Sequence, residues 1–153
     1  MKAYSLDTSA FLKRYLKETG SDVVDAIFEE DSSRYVSTIC LLECFSNIQR
    51  LHAADAFITE GQLRTLHAAV ASDIESGKVT AINPTPADIE AAIEILTNQY
   101  LTAVDALQIA TAKMLGPGTV LVSSDTKLNR VATEHGLTVI DPATRSDPHP
   151  VKT

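Results

Sequence analysis

The chain has 153 residues, of which 44% are hydrophobic and 22% charged, and carries a formal net charge of −7 at pH 7. That is enough chain for one domain with one proper core, and the balance is that of an ordinary globular protein. The acidity argues against a broad nucleic-acid-binding surface, unless several of the acids gather on a cation. No segment approaches the roughly 20 apolar residues needed to span a bilayer. Asp7 interrupts the N-terminus before a signal-peptide core can form, so the expectation is a soluble, unprocessed, cytoplasmic protein. Cys40 and Cys44 lie four apart in an apolar stretch, a spacing for core packing. There is no CxxC or Cys/His array with zinc spacing. His52, His67, His135 and His149 are scattered.

In chain order, Ala3 to Leu6 predicts a strand. From Thr8 onward, Phe11, Leu12, Tyr15 and Leu16 recur at helical spacing. Lys13, Arg14 and Lys17 on this helix make either a local basic stripe or a solvated face. Ser21 is expected to cap a second helix that buries Val23, Val24, Ile27 and Phe28. Arg34 to Thr38 reads as a second strand. Leu41, Leu42, Phe45 and Ile48 then form the stripe of a helix running to about Ala54. Thr59-x-x-Gln62 is a capping box for the next helix, with Leu63, Leu66, Val70 and Ile74 inward and Gly77 ending it.

Val79 to Ile82 is a third strand. Thr85 caps a helix with Pro86 at its first position and Ile89, Ala92, Ile93 and Leu96 as its apolar face. Thr102 caps another, with Val104, Leu107, Ala110, Met114 and Leu115 inward. Thr119 to Val122 is an apolar run suited to a strand buried on both faces. Asp125 opens a helix bearing Leu128, Val131 and Ala132 and ending at Gly136, and Leu137 to Ile140 is the last strand. The alternation implies an α/β fold, a three-layer α/β/α sandwich with a mainly parallel central sheet. Residues 1–141 form the single domain. Residues 142–153, rich in proline, read as a C-terminal tail.

Four carboxylates stand out, each with an ordinary alternative. Asp7 sits where a strand hands over to a helix, as cap or as ligand. Asp125 occupies the equivalent place after Val122-Ser123-Ser124. Asp105 follows Thr102 by three residues, as in a capping box. Glu43 is the one charged residue between Arg34 and Arg50, inside an apolar helical stretch that should be largely buried. There it must face water, meet a cation or hold a metal. A narrow polar row of Glu43, Ser46, Asn47 and Arg50 can also be drawn, which would put Glu43 on the surface. Oxygen ligands without Cys or His suit Mg²⁺ or Mn²⁺ and not zinc.

The stretches LDTSAFLKRY, STICLLECFSNI, TAVDALQIATAK and LVSSDTKLNRVATEHGL resemble, in that order, the PIN-domain ribonucleases, and among them the VapC-like toxins of toxin–antitoxin pairs. The resemblance implies a PIN-like sandwich with the first and fourth strands side by side, bringing Asp7 and Asp125 together. It implies a metal-dependent endoribonuclease whose acidic positions fall on Asp7, Glu43, Asp105 and Asp125. Asp7, Asp105 and Asp125 would be metal ligands, and Glu43 a ligand or the group that orients the attacking water. Thr8, Ser9 and Ser123 would position water, with Thr8 and Ser9 left to cap the first helix. Crowded carboxylates should have raised pKa values without the metal. The resemblance further implies an RNA substrate, a homodimer, and a small antitoxin whose tail enters a groove lined by Phe11, Tyr15 and Phe28. Two alternatives stand beside it. One is a non-catalytic PIN-like module that binds RNA or protein. The other is a haloacid-dehalogenase-type phosphatase, which would want an acid where Ser9 stands.

Overall fold

A computed structural model describes residues 1–145. Five strands form one sheet: β1 (Lys2–Leu6), β2 (Ser32–Ser37), β3 (Thr80–Ile82), β4 (Thr119–Val122) and β5 (Thr138–Ile140). Their order is β3-β2-β1-β4-β5, and every neighbouring pair is parallel. The order reverses at β1, so the crevice at the carboxyl ends of β1 and β4 is the switch point where such sheets bind ligands. The connections are α1 (Thr8–Leu12), α2 (Ser21–Glu29), α3 (Thr38–Ala53), α4 (Glu60–Glu75), α5 (Pro86–Asn98), α6 (Ala103–Met114) and α7 (Thr126–Glu134).

The sandwich follows from alternation along the central strands. Val120 and Val122 of β4 join one core with Tyr4, Leu6, Phe11, Val24 and Ile27. Leu121 points the other way, into a second core with Ile95, Ile109, Leu128 and Val131. A strand buried on both faces must be apolar throughout, as this one is. The capping boxes at Thr59 and Thr85 are both complete.

Several expectations change at the helices. α1 stops at Leu12, and the chain continues in turns through Leu16. The basic stripe does not form: Lys13 is buried with its ammonium 3.0 Å from Glu18, and Arg14 is held by Asp25 and Asp73. Phe11 and Phe28 are buried in the core and line no groove, whereas Tyr15, half-buried with its hydroxyl donating to Asp73, lines a separate groove beside Lys17 and Asp22. α3 is not largely buried. It hides Cys40, Cys44 and Ile48 and leaves Leu42 68% exposed.

Of the expected stripe of α5, Ala92 is buried, while Ile89, Ile93 and Leu96 face out and Ile95, not in the stripe, is buried instead. α6 turns inward on Ala106, Ile109 and Ala110, with Met114 outside. In short helices rich in alanine several faces are apolar enough to be the core face, and packing decides between them.

The cap of α2 is Gly20, not Ser21, whose hydroxyl instead accepts from the Glu18 N–H. Gly20 has φ +93°, and an added Cβ would stand 2.7 Å from the backbone of Pro142. Pro142–Thr144 is a 3-10 turn with Pro142 buried, so the chain stays packed past Asp141. The remainder of the expected tail, 146–153, lies outside the described residues. Gly20→Ala combines left-handed strain with a backbone clash and should cost about 2–3 kcal/mol. Gly77→Ala, with φ +79° and open space around it, should cost about 1 kcal/mol. Urea titration of both reads the difference, and equal midpoints would show that the Pro142 turn does not dock on Gly20.

Candidate active site

Register builds the centre of the site. Leu6 pairs with Val122, so the next residues on each strand, Asp7 and Ser123, leave the sheet side by side. The Asp7 N–H donates to the Val122 carbonyl at 3.1 Å. The Ser123 hydroxyl, fully buried, donates to Asp7 Oδ2 at 2.5 Å and accepts the Asp125 N–H at 3.0 Å. Asp7 Oδ1 accepts the Ala10 N–H at 2.9 Å and the Ser9 hydroxyl at 2.7 Å. Ser9 in turn accepts the Ser124 N–H.

Asp7 is therefore the N-cap of α1, and Thr8 and Ser9 are not. The three hydroxyls expected near water serve the carboxylates. Ser9 and Ser123 bond to Asp7, and Thr8 donates to Glu43 Oε1 at 2.7 Å. Asp125 caps α7 by accepting the Leu128 N–H. The expected box at Thr102 is one-sided: its hydroxyl accepts the Asp105 N–H, and no reciprocal bond runs from Asp105 to the Thr102 N–H.

All four acids line one opening of about 630 Å³. Leu12, Leu16 and Leu51 supply apolar wall, and Asn47, Arg50 and Gln108 polar wall. None of Asp7, Glu43, Asp105 and Asp125 is in an ion pair among the described residues. Glu18, Asp25, Asp55 and Asp73 each are. Burial raises the Asp7 pKa. The bonds from Ser123, Ala10 and Ser9 oppose the shift, and the charge of Asp125 adds to it. Asp105 is raised by burial and then by Asp125. Both shifts come first from burial, and crowding by the neighbouring carboxylate adds to them.

As a donor set, these are hard oxygens held without counter-charges, which fits Mg²⁺ or Mn²⁺ and fits zinc poorly. Among the described residues no three His, Cys, Asp or Glu groups are drawn together closely enough to hold a metal. The fit is to an ion that keeps much of its water, as Mg²⁺ does, and not to a closed cage.

Gln108 escaped the sequence reading. It is buried, donates to Ser5 and accepts from the Cys40 thiol at 2.9 Å. The signal was the one used for Glu43, a polar residue in an apolar helix, but α6 was given a different inward face. Burial pushes the Cys40 thiol up to about 11. His52, His67 and His135 are not among the residues lining the opening.

An open α/β sheet with unpaired acids at its switch point defines a class, and comparison with known proteins defines the family. The PIN domain family model matches residues 4–134. The chain belongs to the PIN domain family, whose members are generally nucleases. Three solved structures share the fold. FitAcB from Neisseria gonorrhoeae is 17% identical, with 93% of this chain and 99% of that one covered and a TM-score of 0.67. A toxin-antitoxin complex from Klebsiella pneumoniae is 18% identical over 91% and 97%, TM-score 0.64. VapBC2 from Rickettsia felis, bound to a DNA fragment from their promoter, is 13% identical over 90% and 97%, TM-score 0.64. No curated protein matches the chain in sequence.

Proposed function

We propose that the protein is a metal-dependent endoribonuclease and the toxin of a toxin–antitoxin pair. The observation that carries the chemistry is four carboxylates from four separate elements around one opening, none of them ion-paired among the described residues. The toxin role is supported by the similar folds of the toxin–antitoxin proteins above. Asp7, Asp105 and Asp125 would hold Mg²⁺ or Mn²⁺, and Glu43 would ligate it or orient the attacking water. When bound, the ion supplies an acidified water and charge stabilisation at the phosphate.

The chain's own part is geometric. Ser123 and Ser9 fix both oxygens of Asp7, and Thr8 fixes Glu43. Cys40 lines the opening, and burial pushes its thiol up to about 11, which disfavours it as a nucleophile near neutrality. The reading is direct hydrolysis by water, with no covalent intermediate.

Cleavage of single-stranded RNA in Mg²⁺ and in Mn²⁺, each against EDTA, tests this reading. Cleavage with metal and none with EDTA is expected, and cleavage indifferent to EDTA removes the metal. A non-catalytic module that binds RNA or protein is the second reading, favoured by the lack of a preformed three-ligand cage among the described residues. RNA binding without cleavage in either metal would establish it.

The partners in this reading are a small antitoxin and a second copy of the chain. The exposed row Ile89, Ile93 and Leu96 on α5 gives the second copy an apolar face to meet. Sedimentation that finds monomer alone removes the homodimer.

A further inference from the structure

Glu43, Ser46, Asn47 and Arg50 form a polar row on α3, and the structure divides it. Glu43, Asn47 and Arg50, at i, i+4 and i+7, line the acidic opening, while Ser46 is exposed outside it. Arg50 is the one Lys or Arg among the lining residues. Its side chain is 60% exposed, and Asp55 holds it loosely, at 3.6 Å from Nε. Two turns of helix, about 10 Å, separate it from Glu43.

A second cation stands beyond the acids. Lys127 is exposed in the first turn of α7, two residues past Asp125. It pairs with no carboxylate among the described residues. Its ammonium rests 4.5 Å from the centre of the Tyr100 ring, and Tyr100 is 79% exposed.

Arg50 lines the opening, Lys127 follows Asp125 by two residues, and neither is paired with any of the four acids among the described residues. A polyanion entering this opening would otherwise meet only negative charge on either side of a metal. An exposed ring beside a cation also suits unpaired bases and a strand backbone more than a duplex.

We propose that Arg50 and Lys127 hold the phosphates flanking the scissile bond of a single-stranded RNA laid across the four acids. The proposal rests on the ribonuclease reading above and names how that site takes its substrate. Arg50 and Lys127 are substrate-binding residues and take no part in bond cleavage.

Steady-state cleavage of a labelled single-stranded RNA of mixed sequence, in Mg²⁺, tests it. Arg50→Ala and Lys127→Ala should each raise KM about tenfold, as loss of a charge-assisted bond does, with kcat within about twofold. The plot of log(kcat/KM) against log salt should flatten by about 0.7 for each cation removed. Arg50→Lys should retain most of the slope. Both residues are exposed, and unchanged thermal unfolding of the variants confirms that the fold survives.

Unchanged KM and slope overturn the proposal. So does a fall in kcat at constant KM, which would place the cations in the chemistry. Loss of binding to a peptide of alternating Asp and Glu, with the RNA KM unchanged, assigns them to a protein partner and overturns it too. If the wild-type protein cleaves no RNA, the ribonuclease reading fails separately. Fluorescence anisotropy with the same RNA still reads the salt slopes of wild type and variants, and equal slopes there overturn the binding assignment on its own.

Discussion

Asp7→Asn should lower kcat for RNA cleavage by a factor on the order of 10²–10³, the size expected when one preorganised charge-stabilising group is lost. It should change thermal stability less than Asp7→Ala does, because two effects oppose. Asn caps a helix as well as Asp does, so the Ala10 N–H keeps its acceptor, but the amide nitrogen then faces the buried Ser123 hydroxyl, which loses its own. The Asn also carries no charge into a site where burial disfavours one. The raised Asp7 pKa means that the folded protein binds this proton more tightly than the unfolded chain. At neutral pH the ionised carboxylate therefore costs stability, and Asn relieves that cost.

Asp7→Ala removes the same activity but also the cap, at about 1 kcal/mol. It leaves the buried Ser123 hydroxyl without its acceptor as well. Turnover and thermal unfolding of both variants separate the two roles. Retained cleavage in Asp7→Asn would remove Asp7 from the metal site, and an Asn variant as unstable as the Ala variant would make its charge part of the cap.

Mg²⁺ should raise the unfolding temperature. An ion at a hundred times its dissociation constant adds about 2.7 kcal/mol by mass action. For a chain of this length that is about 5–10 °C. The pH dependence has a definite sign. Asp7 and Asp105 both lie above their ordinary value of 3.8 in the fold. Their contribution to stability is greatest below that value and is lost as pH rises through the folded pKa values. The metal-free protein should therefore weaken, as far as these two acids go, as pH rises from 3.8 toward neutrality. The stabilisation by Mg²⁺ should grow over the same interval, because the acids must be ionised to bind it. Calorimetry at both pH values, with Mg²⁺ and with EDTA, reads this. An equal Mg²⁺ shift in an Asp7→Asn, Asp105→Asn double variant would place the ion elsewhere.

Much of the fold was legible because its signals are local. The apolar run at Thr119 to Val122, the capping boxes at Thr59 and Thr85, and the glycine after Glu75-Ser76 all act within a few residues. The helix faces were less legible. α5 offers Ile89, Ile93 and Leu96 on one side and Ala92 and Ile95 on another, and only the sheet beneath decides which is covered. The resemblance supplied the pairing of the first and fourth strands, which propensities do not encode.

At the site, position alone left Asp7 between cap and ligand, and the structure gives it the capping bond without taking it from the opening. Glu43 was singled out by an argument from burial that holds only in part. α3 is half exposed, and Glu43 faces the opening from its partly covered side. The bond from Thr8 to Glu43 and the Ser123 bridge were beyond reach, since they depend on distances across the sheet.

The Ser123 bridge has a consequence in time. It joins residues 116 apart, and the strand that leads into Asp7 precedes the other four in the chain and is the middle one of the sheet. Contacts so distant in sequence form late, after the entropy of closing the long loop has been overcome. While the chain is still emerging from the ribosome, β1 can pair with β2 but has nothing on its other side. Asp7 is then present without Asp105, Ser123 or Asp125. A chain broken off before Ser123 would hold at most three of the four acids and none of the hydrogen bonds that fix Asp7 Oδ2. In the proposed ribonuclease, a copy that stops short of Ser123 would therefore lack both the Asp125 carboxylate and the bond that orients Asp7 Oδ2.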